Sequence, residues 1–351
     1  MTRVAKLESG SLPASFSKLP EPSKESQRLG RSSVWLKFGS HLRTLSPHLI
    51  PVARGNAPRR NIRFSLEDPK RGQVWLSGTL RVPVGAEDLI VLVHGLGGNS
   101  ESPYVRAAAL AAEKLGIATF SISLRGADRL GEDFYNIALT ADLHAAMACK
   151  ELLAFKRIDL LGFSMGGHVA LTYATEAGDS RVCSVAAICT PLDLKIEQLH
   201  FDRELHPLYR WHVLRGLKSI YAAVAKRRAV PSELHEVMAV KTVHDWDRLT
   251  IAPRYGYPTP EAYYDELSVG PKLGSLRMPA LLIAGEVDPI VPTRAILNPL
   301  ANLSQPPAHL DLHWVRSAGH VSLSRQFNLG LSANLGLVPQ VSAWMRSRAK
   351  N

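Results

Sequence analysis

The sequence predicts an α/β protein with a mostly parallel sheet and helices on both faces. Three observations carry this. Short apolar runs alternate with helical stretches at βαβ spacing. The runs are β-branched and apolar throughout, as strands covered on both sides must be. Glycine-containing turns follow the runs Leu89–Val93 and Ile158–Phe163.

The elements follow in order. Gln73 to Val82 reads as an antiparallel strand leading into the sheet. Leu89-Ile90-Val91-Leu92-Val93 is too short for a buried helix and stops at His94-Gly95, so it is a central parallel strand. Ser102-Pro103 opens a helix with a cap residue and a first-turn proline; the run continues to Leu115 and Gly116 closes it. Ile117 to Leu124 is a strand, 138–155 a helix, Ile158 to Phe163 a strand, Met165 to Ala177 a helix and Val182 to Ile188 a strand. After a long interval come the strand Ala280–Ala284, the helix Thr293–Leu300, the strand Leu310–Val315 and the closing helix Val338–Ala349. No internal repeat is present. Within 191–278, the segments 208–225 and 232–242 have helical patterns with apolar and basic faces, and Tyr255, Tyr257, Tyr263 and Tyr264 add aromatics.

The chain has 351 residues, of which 46% are hydrophobic and 21% charged, which is a soluble globular composition. No apolar run approaches the ~18 residues that span a bilayer, and the first 30 residues hold no apolar core of a secretory signal. Stable membrane insertion is therefore not expected. Cys149, Cys183 and Cys189 form no C-x-x-C pair and sit in apolar segments, so buried thiols in a reducing, cytoplasmic compartment are expected. Residues 1–60 hold eleven Lys or Arg against three Glu, so +8 of the net +11 lies there and the other 291 residues hold +3. Residues 1–30 read as a basic arm too poor in apolar residues to fold, and a solvated tail is preferred to a surface for nucleic acid or anionic lipid. A transit peptide would also be Arg- and Ser-rich, but the three glutamates count against one.

In such a sheet, reactive groups collect where the strands end. Gly162-Phe163-Ser164-Met165-Gly166 lies between a strand and a helix, the context of a nucleophile elbow. Gly162 and Gly166 suit a turn too tight for side chains, and the helix start favours developing negative charge. A serine hydroxyl reacts only when a base takes its proton. Asp288 in AGEVDPIVP and His320 in RSAGHVSL follow Ser164 in the chain order this chemistry uses. Glu286 is the rival acid but lies nearer the strand end, so Asp288 is preferred. His168 follows the elbow too closely to reach the hydroxyl and is assigned to packing. An oxyanion needs donors. The backbone N–H of Met165 is one, and that of Leu96 in His94-Gly95-Leu96-Gly97-Gly98 is chosen as the other. The same glycines could suit a dinucleotide phosphate, but the G-x-G-x-x-G spacing fails and Leu124-Arg125 ends the next strand without an acid.

HGLGG, GFSMGG, GEVDPIVP and GH together resemble the α/β-hydrolase superfamily. HGLGGNSESPYVR, SLRGADR, GFSMGGHVAL, ICTPLDL, LTIAPRYGYPTPEAYYDE and SAGHVSL fall in the order of its YheT-like branch, similar to the ABHD1/ABHD3-type and EMB8-like proteins; SHLRTLSP resembles that branch's HLQT segment. The resemblance spans roughly 35–347. It implies an α/β-hydrolase fold with a core of 31–190 and 279–351, and a helical cap at 191–278 whose apolar faces could close a pocket for an acyl chain. It also implies a serine carboxylesterase with Ser164, Asp288 and His320 as triad and no metal or organic cofactor. The substrate would be a small ester or lipid-like molecule. Where that branch has a small polar or Cys-Ser-Gly run, this chain has Ala127-Asp128-Arg129, in the loop at 121–131 that is expected to border the pocket. An acyltransferase with the same triad and a non-catalytic binding protein are the alternatives. Lys226-Arg227-Arg228 reads as a solvated helix end rather than a lipid contact. Oligomeric state, acyl length and physiological substrate are not specified by the sequence.

Overall fold

A computed structural model of the chain describes residues 55–316 and 319–348. The basic arm expected over 1–30, and the SHLRTLSP word, lie outside the described residues.

One eight-stranded sheet runs in the order β1-β2-β4-β3-β5-β6-β7-β8. Its strands are β1 (Arg59–Asp68), β2 (Gly72–Arg81), β3 (Asp88–Val93), β4 (Ala118–Ser123), β5 (Arg157–Phe163), β6 (Val182–Ile188), β7 (Ala280–Gly285) and β8 (Leu310–Val315). β1 and β2 are antiparallel, as are β2 and β4; every pairing from β4 to β8 is parallel. Alternate residues of the apolar runs enter two cores. Leu89, Val91 and Val93 of β3 face one, and Ile90 and Leu92 the other. That two-sided burial is why the run carries no polar alternation.

The first helices are α1 (Pro103–Glu113), α2 (Ala141–Met147) and α3 (Met165–Thr175). α1 and the closing helix α11 (Leu337–Arg348) cover one face, through Val105, Ala112, Val341 and Met345. α2 and α3 cover the other, through Leu143, Ala146, Val169 and Tyr173. Ser102 stands at the α1 N-cap, but its hydroxyl accepts from the Asn99 N–H at 3.0 Å instead of capping the helix.

Three expectations change. β1 was not anticipated; it forms a hairpin with β2, pairing Arg59 with Arg81 through to Asp68 with Gly72. The helix expected over 138–155 stops at Met147, and a short 3-10 turn occupies Lys150–Leu152. Arg181 binds the carbonyls of Met147 at 2.6 Å and Leu152 at 2.7 Å, taking acceptors a continuing helix would need. Between β6 and β7 the described residues hold six α-helices rather than two: α4 (Leu194–Arg203), α5 (Pro207–Ala225), α6 (Leu234–Ala239), α7 (Val243–Leu249), α8 (Ile251–Tyr255) and α9 (Pro260–Leu267), followed by a 3-10 turn at Gly270–Ser275. Between β7 and β8 lies α10 (Arg294–Ala301).

A buried ionic network ties these helices to the sheet. Arg125, fully buried after β4, bonds Asp142 at 2.7 Å, Asp68 at 2.7 Å and Asp133 at 3.1 Å. Arg254 on α8 joins the same Asp133 and Asp68. Removing one partner would strand a buried charge, a change that costs about 3–5 kcal/mol. No helix among the described residues is long and apolar enough to cross a membrane.

Candidate active site

Ser164 ends β5 and precedes α3, with φ 53° and ψ −121°, a backbone conformation that side chains seldom adopt. The surroundings hold it there. Its N–H donates to the Ile188 carbonyl at 2.8 Å, and its carbonyl accepts from the Gly167 N–H at 2.9 Å and the Thr190 hydroxyl at 3.0 Å. A Cβ on Gly162 would collide with the Gly166 carbonyl, and one on Gly166 with the Val93 carbonyl. Both glycines are thus dictated by close approach of backbone, as a tight elbow requires.

The HGLGG loop lies directly beside it. A Cβ on Gly95 would stand 3.3 Å from the Ser164 Cβ. Within the loop, the Gly95 N–H donates to the Tyr104 hydroxyl at 2.8 Å, the Gly97 N–H to the Tyr135 hydroxyl at 2.8 Å, and the Gly98 N–H to the Gly95 carbonyl at 3.1 Å. Among the described residues the N–H groups of Leu96 and Met165 have no such acceptor. Both residues line the same cavity as Ser164.

His94 anchors the loop from below. The Leu124 N–H donates to its Nε2 at 3.2 Å, so Nδ1 carries the proton and donates to the Gly95 carbonyl at 2.8 Å. Burial depresses its pKa to about 4, which keeps the ring neutral and this tautomer in place.

Asp288 and His320 meet. Nδ1 of His320 lies 3.0 Å from one Asp288 oxygen and 3.2 Å from the other. Asp288 Oδ1 also accepts from the N–H groups of Ile290 at 2.8 Å and Val291 at 3.1 Å. Burial alone would raise this carboxyl, but the His320 ring and the two amide donors outweigh it and hold it below its ordinary value. Glu286, the rival acid, makes no such bond to His320; its N–H donates to the Val315 carbonyl. His168 is buried, with Nδ1 2.9 Å from the Pro191 carbonyl and Nε2 2.9 Å from the Leu267 carbonyl, fastening α3 to the helices between β6 and β7.

Ser164, His320, Leu96 and Met165 border one cavity of about 870 Å³. Its walls include Phe201, Leu208, Trp211, Leu217, Trp246 and Tyr263, all from those inserted helices. From the loop expected to border the pocket, only Arg129 does so. Cys189, with φ 50°, lies behind the acid; its sulfur and the Asp288 and His320 ligand atoms fall within 4.8 Å of one another. Burial pushes this thiol well above its ordinary value, so it stays protonated, and the Asp288 oxygens already accept from three groups. That donor set suits an acid–imidazole pair better than a metal ion. Cys149 is buried as expected, whereas Cys183 is half-buried; none of the three is in a disulfide.

The sequence marks no role for Tyr104, Tyr135 or Thr190, and marks Cys189 only as a buried thiol. Tyr104 could have been singled out, because Pro103-Tyr104 opens the helix that follows the glycine loop. Nothing in the sequence places Tyr135 beside Gly97.

A model of the alpha/beta hydrolase fold family matches residues 88–324. YheT of Escherichia coli (strain K12) is 25% identical over 322 residues, covering 88% of each chain. The monoacylglycerol lipase of Saccharomyces cerevisiae is 23% identical over 258 residues, 70% of this chain and 55% of that one. Among solved structures, the Pyrococcus furiosus esterase Pf2001 superposes with a TM-score of 0.50 at 17% identity, covering 78% of this chain and 89% of that chain.

Proposed function

Because the chain belongs to the α/β-hydrolase fold family, we propose that it is a serine hydrolase that cleaves carboxylic esters through an acyl-enzyme. One observation carries the reading: an elbow serine and an acid-bonded histidine face the same apolar cavity. With Nδ1 turned to Asp288, Nε2 of His320 serves as the base. His320 takes the Ser164 proton as the hydroxyl attacks the ester carbonyl. Asp288 orients the ring and stabilises its cation. The N–H groups of Leu96 and Met165 hold the oxyanion. His320 then protonates the departing alcohol, and water, activated by the same ring, releases the acid. No cofactor or metal enters this scheme.

Residues 191–278 serve as the cap, a role supported by the apolar walls that their helices lend to the cavity. The substrate is a small ester or lipid-like molecule, which fits both those walls and the similarity to a lipase. Residence in the cytoplasm is supported by three thiols without a disulfide. Turnover of p-nitrophenyl esters of graded chain length by wild type and Ser164→Ala tests the reading. Activity lost with the hydroxyl supports it, and unchanged turnover defeats it. Products formed with an added alcohol separate hydrolysis from acyl transfer.

A further inference from the structure

The apolar cavity contains a carboxyl group that the scheme above does not use. Glu197 on α4 is 8% exposed and borders the cavity. Its Oε2 is buried without a hydrogen-bond partner among the described residues. Burial, and then the negative charge of Asp288, push this carboxyl well above its ordinary range, against a weaker pull from Arg294. The Arg294 guanidinium is itself engaged by Glu204. A carboxyl this buried, with Oε2 unpaired among the described residues, favours its neutral form, which has one O–H to donate and oxygens to accept. A buried polar group left unsatisfied costs stability, and a leucine would fill the same helix position without that cost.

Its place in the fold says which part of a substrate it meets. In the sheet order, the HGLGG loop leaves β3 on one side of the serine strand β5. α4 leaves β6 on the other side, where β7 and β8 deliver Asp288 and His320. α4 rests on the acid-bearing loop, with His200 Nε2 3.4 Å from the Pro289 carbonyl. Glu197 thus stands on the side where His320 hands its proton to the departing alcohol.

We infer that Glu197 binds a hydroxyl on the alcohol portion of the ester, making hydroxyalkyl esters the preferred substrates over simple alkyl esters. The inference rests on the ester-hydrolase reading. A hydroxyl matches a neutral acid's paired donor and acceptor. A cation fits less well, because a neutral acid offers it no charge to pair with and the imidazolium formed on His320 would oppose it.

The test compares hydroxypropyl octanoate with butyl octanoate, which differ by a hydroxyl in place of a methyl. Wild type should favour the hydroxyl ester about tenfold in kcat/KM, as one hydrogen bond allows. Glu197→Leu should abolish that preference while keeping activity on the butyl ester, and Glu197→Gln should retain most of it. Glu197→Met serves if the Leu variant does not fold. Fluorophosphonate labelling of Ser164 in every variant reports intact machinery. An equal ratio in wild type and the Leu variant overturns the Glu197 assignment alone. A preference for octanoylcholine over both esters, lost in the Leu variant, overturns it in favour of a cation. Wild type that neither hydrolyses any ester nor labels at Ser164 overturns the hydrolase reading and this inference with it.

Discussion

Gly216 lies inside α5, where its backbone touches the glycine loop beside Ser164. A Cβ at Gly216 would sit 2.8 Å from the Gly97 carbonyl oxygen and 3.1 Å from the Gly97 Cα. Ordinary contact begins at 3.4 Å, so Gly216→Ala must part the two backbones by about 0.6 Å. Two energetic terms oppose each other. Overpacking costs about 1–3 kcal/mol, whereas alanine inside a helix gains about 1 kcal/mol over glycine. Net stability should therefore fall by no more than about 2 kcal/mol. Catalysis has no such offset, because Leu96 precedes Gly97 and its N–H moves with the loop. A displacement of about 1 Å can cost 100-fold, so this one should lower kcat about tenfold. Steady-state ester hydrolysis gives kcat and KM, and thermal unfolding gives the stability change. Gly274→Ala is the control, since a Cβ there meets nothing within 4 Å. Gly216→Ala with kcat within twofold of wild type would refute the claim that this helix positions the loop.

Two further outcomes follow from the same geometry. Asp247, buried against the Tyr264 hydroxyl at 2.7 Å, is raised from 3.8 to about 7, by burial first and the charge of Asp202 last. The folded state thus holds a proton that the unfolded state has lost between pH 4 and pH 7, and this carboxyl subtracts stability as pH rises through that window, about 1.4 kcal/mol per unit. Asp247→Asn should raise the unfolding temperature at pH 8 and have little effect near pH 4; a gain independent of pH would contradict the assignment. Asp288→Asn should leave the fold intact but reduce kcat by roughly 10³ to 10⁴, through loss of the His320 tautomer and its counter-charge; full activity in a properly folded variant would remove Asp288 from the site.

The parts of the fold that could be read beforehand are those whose signal is local. The β-branched runs at 89–93 and 158–163 declare two-sided burial, and the glycines around Ser164 declare a tight elbow. β1 hid because Arg59, Arg60 and Arg63 resemble the basic stretch before it, although Ile62 and Phe64 alternate inward as a strand should. The break after Met147 depends on Arg181, more than thirty residues away, and no local pattern reports it. The extra helices between β6 and β7 did leave signals. Asp193, Thr242 and Thr259 each accept from an N–H three residues on, and Pro260 follows the last of them. Most of these helices are too short for an apolar periodicity to reinforce those caps. Glu197 has no local signature: a glutamate in the first turn of a helix reads as solvated, and only the packed structure shows it facing a cavity.

The most direct measurement is the mass of the protein after exposure to a fluorophosphonate, with the adduct mapped by peptide fragmentation. The account predicts one equivalent bound at Ser164, labelling slowed at least tenfold by His320→Ala, and none in Ser164→Ala. An adduct elsewhere, or a Ser164 that reacts equally well without the imidazole, would contradict it.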